Sequence, residues 1–176
     1  MSRCWRVAPD VWLGFARCTR ADGGPSPGQR WRLDREAADR AVAAVVAASG
    51  FRRDACATSR SHTLGVAVAV AAPAGVRVGV DLVKVDRVGR RHAKVLINGD
   101  EWKTLESYAS VRPALAWAMK EAAAKAAGDP LRCFPHGLRI EVGPAGLMVR
   151  QVAGGRRGFV ADWGLFGGFL YAWVRG

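Results

Sequence analysis

Between Ser110 and Gly128 the chain carries a helix whose apolar side is built mostly of alanine, and that segment limits what the rest can be. Ser110 is a candidate N-cap, Pro113 suits a first turn, and Gly128-Asp129-Pro130 ends the pattern, which sets a helix over about 111–127. Leu115, Ala118, Ala122 and Ala126 share one side, while Trp117, Glu121 and Lys125 recur every four residues as an adjacent stripe. Methyl-sized side chains let such a helix pack closely on a sheet, so the chain must supply strands.

It supplies them in the middle and at the end. Gly65 to Ala72 is a small, β-branched run suited to a buried strand. Beyond Pro73-Ala74-Gly75, a period of two over 76–83 puts Val76, Val78, Val80 and Leu82 on one face, and the two runs are expected to form a hairpin. Strict alternation sends Arg77, Gly79, Asp81 and Val83 to the other face, so Asp81 is expected to project away from the main core side. A second hairpin is expected over 137–149, turning at Gly143-Pro144-Ala145-Gly146, and a final strand over 168–174. Upstream, Ala21 to Gln29 reads as a glycine- and proline-rich loop. A helix then runs over about 33–48, with Ala37, Ala41, Val45 and Ala48 on one side and Gly50 as its stop.

At 176 residues the chain is one domain, or two small halves sharing a core. Half of it is hydrophobic and 24% charged, which argues against disorder, and no apolar run reaches the ~18–20 residues of a membrane span. Met1-Ser2-Arg3-Cys4-Trp5-Arg6 lacks the apolar core of a secretory signal, so a soluble, cytoplasmic protein is expected. Cys4, Cys18, Cys56 and Cys133 show no metal-ligand spacing and read as idle thiols in a reducing compartment. The formal charge of +12 attracts polyanions without naming one.

The chemistry concentrates on a few side chains. Asp81 on a strand and Glu121 on a helix are two hard oxygen donors, enough protein ligation for a magnesium ion that completes its shell with water and substrate phosphate. Lys120 and Lys125 beside them would neutralise charge on a transferring phosphoryl group. The plainer alternative is that Glu121 and Lys125 form a surface i,i+4 pair worth ~0.3–0.5 kcal/mol and that Asp81 begins a turn.

Gly79-Val80-Asp81-Leu82 followed by Trp117-Ala118-Met119-Lys120-Glu121-Ala122-Ala123-Ala124-Lys125 resembles the signature pair of the 4′-phosphopantetheinyl transferase superfamily, G-[IV]-D and then [FW]-x-x-K-E-[AS]-x-x-K. Ser61-His62-Thr63 is similar to the Ser-His-Ser segment of the larger, surfactin-type members, and Asn98-Gly99-Asp100-Glu101 to a short acidic motif ending in Glu. The resemblance implies transfer of the phosphopantetheine arm of coenzyme A to a serine of an acidic carrier protein, with release of adenosine 3′,5′-bisphosphate. It implies that Asp81 and Glu121 hold magnesium, with Glu121 or a metal-held water taking the serine proton. Lys125 and Lys120 would contact the phosphates, and Ser61 and His62 would hold coenzyme A. It also implies an α+β pseudo-dimer, each half a helix on a small antiparallel sheet, divided at about 1–72 and 73–176 with the site between, and acting as a monomer.

The pattern departs at one place. Surfactin-type members carry a second carboxylate two residues after the aspartate, where this chain has Val83; the small synthase type has glutamate three residues after it, where this chain has Lys84. Asp86 or Glu101 is a candidate to compensate. This departure keeps open a relative that binds coenzyme A or a carrier without turnover. A basic nucleic-acid-binding module is the remaining alternative, and it fits poorly because Trp163, Phe166, Phe169, Tyr171 and Trp173 are spaced as strand and core residues.

Overall fold

The alanine-rich helix does lie on a sheet. A computed structural model of the protein describes residues 2–18, 27–128, 134–152 and 158–176, and these fall into two compact units, Met1–Val76 and Arg77–Gly176. Each is an α+β arrangement with one antiparallel sheet.

In the first unit, strands β1 (Ser2–Ala8), β2 (Val11–Arg17), β3 (Cys56–Thr63) and β4 (Val66–Pro73) form a sheet in the order β1-β2-β4-β3. Helix α1 (Pro27–Ser49) covers one face, where Ala37, Ala38, Ala41 and Val45 pack on Ala16, Ala67, Ala69 and Ala71. The helix begins six residues earlier than its apolar pattern predicts, so Pro27 to Gln29 are helical rather than loop. Proline at a helix start loses no hydrogen bond, because the first backbone N–H groups have no partner within the helix. Ala48, expected on the buried side, is exposed, and Ala38 is buried instead. The rest of the expected loop lies outside the described residues, as do Asp129, Pro130 and Cys133.

The second unit contains strands β5 (Val78–Lys84), β6 (Leu138–Gly143), β7 (Gly146–Gln151), β8 (Gly158–Phe166) and β9 (Phe169–Arg175). Their order is β5-β9-β8-β7-β6, so three antiparallel steps run from β6 to β9 and β5 closes the edge. The hairpin at Gly143 to Gly146 and the terminal strand stand as expected, and the C-terminal aromatic residues lie in β8 and β9. The hairpin expected between the runs 65–72 and 76–83 does not form. β4 pairs with β2 and β3, whereas β5 pairs with β9 in register from Val78↔Arg175 to Lys84↔Phe169. A turn signal between two strand patterns fixes that the chain bends there, and pairing is decided by which edges are free.

Between β5 and β6, helices α2 (Arg90–Leu96), α3 (Gly99–Thr104) and α4 (Arg112–Ala127) form the layer over this sheet. Alternate residues Val83, Leu170, Ala172, Val174, Phe159, Ala161, Val149 and Ile140 share a core with Leu115, Ala118, Met119, Ala122 and Ala126 of α4. The α4 N-cap is Val111 and makes no side-chain cap, so the expectation for Ser110 is corrected; Pro113 occupies the first turn and Gly128 ends the helix at φ 78°. None of the described helices is long and apolar enough to cross a membrane.

Candidate active site

β5 and α4 meet at Gly79. A Cβ at that position would overlap the Ala122 carbonyl and stand 2.9 Å from the Ala126 amide nitrogen, so hydrogen is the only substituent the contact accepts. The face of β5 that carries Gly79, Asp81 and Val83 is therefore the face covered by α4. Asp81 points towards the helix, not away from the core as alternation alone had implied, because both faces of this strand are buried: Val80 and Leu82 are sealed as fully as Val83.

Asp81 is 6% exposed. The Lys125 ammonium donates to its Oδ1 at 2.7 Å and to the Val80 carbonyl at 3.1 Å, joining the last turn of α4 to the middle of β5. Glu121 lies one turn before Lys125 on the half-exposed stripe that also includes Trp117. Burial pushes the Glu121 carboxyl above the usual range; the Asp81 charge pushes it further, and Lys125 opposes both. The three groups thus act on one another, with one cation set against two carboxylates.

Lys120 is placed elsewhere. One residue along a helix turns the side chain by about 100°, and Lys120 is 2% exposed, inside the second unit. Its ammonium donates to the Leu96 carbonyl at 2.6 Å and to the Glu101 carboxylate at 2.8 and 3.0 Å. Glu101 in turn accepts from the backbone amides of Asn98 at 2.9 Å and Ile140 at 2.7 Å. Burial lowers the Lys120 pKa, and Glu101 holds it back up. The expected contact of Lys120 with phosphates is corrected to this internal pair. Glu101 is likewise committed and does not replace the missing third acid, and Asp86 is exposed beside Lys84 at 3.8 Å.

Ser61 and His62 both lie in β3, and a strand sends neighbours to opposite faces. His62 sits opposite Ala67 on the α1 face, with its Nδ1 4.0 Å from Asp34 Oδ2; Ser61 sits opposite Val68 on the other face and is 9% exposed. The pair is therefore divided between two surfaces of the sheet.

The family model of the 4′-phosphopantetheinyl transferase superfamily matches residues 77–160, which contain β5, α4, Asp81, Glu121 and Lys125. This segment is a domain of that superfamily. The match begins at Arg77, the first residue of the second unit, and leaves Ser61 and His62 outside it. No curated protein matches the chain. The superfamily's activity is phosphopantetheinyl transfer, a transferase reaction that draws on coenzyme A and a carrier protein.

Among the described residues no cluster of three or more His, Cys, Asp or Glu side chains is placed to hold a metal. The transferase domain instead offers two carboxylates, and burial first and the Asp81 charge second raise the proton affinity of Glu121. That donor set fits magnesium, which binds through one or two carboxylates and leaves its other positions to water and phosphate. Val83, at the position of the second carboxylate in surfactin-type members, is 8% exposed and belongs to the apolar core, so it contributes no ligand.

Sequence reasoning passed over Asp34, which accepts from the Gly65 amide at 2.6 Å while facing His62, and the Glu101–Lys120 pair. The second had a visible signal. Asn98 and Glu101 have the spacing of a reciprocal helix cap, and both halves of that cap form at the start of α3. Trp117, of the same stripe as Glu121, lies against the core with the rings of His92 and Phe134 edge-on to it at 6.0 and 5.2 Å.

Proposed function

We propose that this protein transfers the 4′-phosphopantetheine arm of coenzyme A to a serine of an apo carrier protein, in a magnesium-dependent reaction of the cytoplasm, acting as a single chain. The observation that carries the proposal is the arrangement of Asp81, Glu121 and Lys125 within a segment of the superfamily. The carrier serine Oγ attacks the phosphorus that bears the pantetheine arm. A new P–O bond forms there, the bridging P–O bond of the diphosphate breaks, and adenosine 3′,5′-bisphosphate departs.

Glu121 accepts the serine proton, directly or through one water. A carboxylate made more basic by burial and by a like charge is better matched to that task near neutral pH than an ordinary one. Asp81 and Glu121 would hold magnesium, whose contribution is to neutralise charge on the diphosphate and align it. Lys125, 27% exposed at its side chain, can turn from Asp81 to the phosphates, and the magnesium would then balance the buried Asp81 charge. His62, the exposed member of the β3 pair, is the residue of the first unit assigned to coenzyme A. The net charge of +12 draws both the polyanionic coenzyme and an acidic carrier.

The test is incubation with coenzyme A, magnesium and a panel of apo carriers, read by intact-protein mass. The expected product is a carrier heavier by one phosphopantetheine group, formed by the wild type and not by Glu121→Gln. Tight coenzyme A binding with no mass gain on any carrier would instead make this a binding relative, the reading that Val83 and Lys84 favour.

A further inference from the structure

The second unit seals an ion pair beside its candidate site, and stability alone does not account for it. Lys120 and Glu101 are 3% and 1% exposed at their side chains. Withdrawing two such charges from water costs more than their attraction commonly returns, and apolar residues of similar volume would hold the same elements together as well or better. What an apolar pair lacks is direction. Lys120 and Glu101 together bond the end of α2 through the Leu96 carbonyl, the cap of α3 through the Asn98 amide, and β6 through the Ile140 amide.

Direction matters here because of the helix that carries Lys120. The buried surface of α4 includes Ala114, Ala116, Ala118, Ala122, Ala123, Ala124 and Ala126, which offer few protrusions to resist rotation or sliding over the sheet. Glu121 follows Lys120 in sequence, so any rotation at Lys120 is passed to Glu121 through a rigid helical step. We propose that Lys120 and Glu101 are positioning residues, a clamp that fixes the rotation of α4 and thereby aims Glu121 at the place shared with Asp81. The proposal rests on the transferase reading of Asp81 and Glu121 and assigns Lys120 no contact with substrate.

The test uses the full chain with Glu101→Gln and Lys120→Met together. Methionine fills the volume of the lysine stem, and glutamine keeps an acceptor for the Ile140 amide. The double variant is expected to unfold at a temperature no lower than the wild type, because both buried charges are gone. Its kcat for transfer is expected to fall by about tenfold to a hundredfold, since a displacement of about 1 Å at a reacting group has an effect of that size. KM for coenzyme A is expected to stay within about twofold, because Lys125 is untouched. Mn2+, titrated as a probe of the Asp81–Glu121 geometry, is expected to bind about tenfold more weakly, again from misplacement.

A folded double variant with wild-type kcat and wild-type Mn2+ affinity would overturn the proposal and leave the pair a structural one. If the wild type transfers to no carrier, the transferase reading fails by itself, and the Mn2+ titration decides the clamp alone: equal affinities refute it and weakened affinity supports it. Should the double variant not fold, Lys120→Met by itself carries the same kcat and Mn2+ expectations but with a lowered unfolding temperature, because Glu101 keeps its two backbone donors and loses its cation.

Discussion

Lys120 and Lys125 sit on the same helix, each bonded to a carboxylate, and differ in what surrounds them. The Lys120–Glu101 side chains are 3% and 1% exposed and are bonded to backbone groups of Leu96, Asn98 and Ile140; those of Lys125–Asp81 are 27% and 8% exposed and have a second carboxylate, Glu121, close enough to perturb. The sealed pair cannot meet a ligand without unfolding its surroundings. The open pair can exchange its cation for another. Identical charges on one helix thus serve as structure or as chemistry according to access to water.

The largest effect that would sharpen this contrast is on catalysis. Glu121→Gln is expected to lower kcat by about 10²–10⁴-fold, the usual contribution of a positioned general base, measured in the apo-carrier assay, while leaving urea stability unchanged or higher. Stability should respond in the opposite sense at the sealed pair. Glu101→Ala strands the Lys120 charge and the Ile140 amide and is expected to cost about 3–5 kcal/mol in urea unfolding. Asp81→Ala is expected to cost about 1 kcal/mol or less, because Lys125 can turn to solvent. Equal losses at the two sites would break the contrast.

Gly79→Ala should lie between these, at about 1–3 kcal/mol of overpacking, because the added methyl meets a helix backbone rather than a movable side chain. The smallest effect is on pH dependence. Folding raises the Glu121 pKa, so the native protein binds more protons than the unfolded chain between the ordinary glutamate value and the native one. Its contribution is fully present below the ordinary value and is lost as pH rises through the folded value. Urea unfolding across mildly acidic pH should show that fall in the wild type and a flatter profile in Glu121→Gln.

Much of the second unit was legible because its signals are local. The 111–127 helix, the 143–146 turn and the strand carrying Asp81 each follow from spacing within a single segment. Pairing was not legible in the same way. The pattern at 76–83 specifies a strand, but its partner β9 lies near the other end of the chain, and the period of two does not encode which edge is open. The direction of Asp81 failed for a related reason: with both faces of β5 buried, alternation separates two faces without saying which one meets the helix. The role of Lys120 depended on Glu101, remote in sequence, so its charge was visible while its burial was not. The resemblance treats Ser61 and His62 as one motif, and their separation follows only from their lying within a strand.

The most direct measurement is the mass of an apo carrier after incubation with coenzyme A, magnesium and this protein, run beside Glu121→Gln. The account predicts the gain of one phosphopantetheine group with the wild type and none with the variant. A fully active Glu121→Gln protein, or a wild type that modifies no carrier in a panel spanning fatty-acid, polyketide and nonribosomal-peptide types, would contradict it.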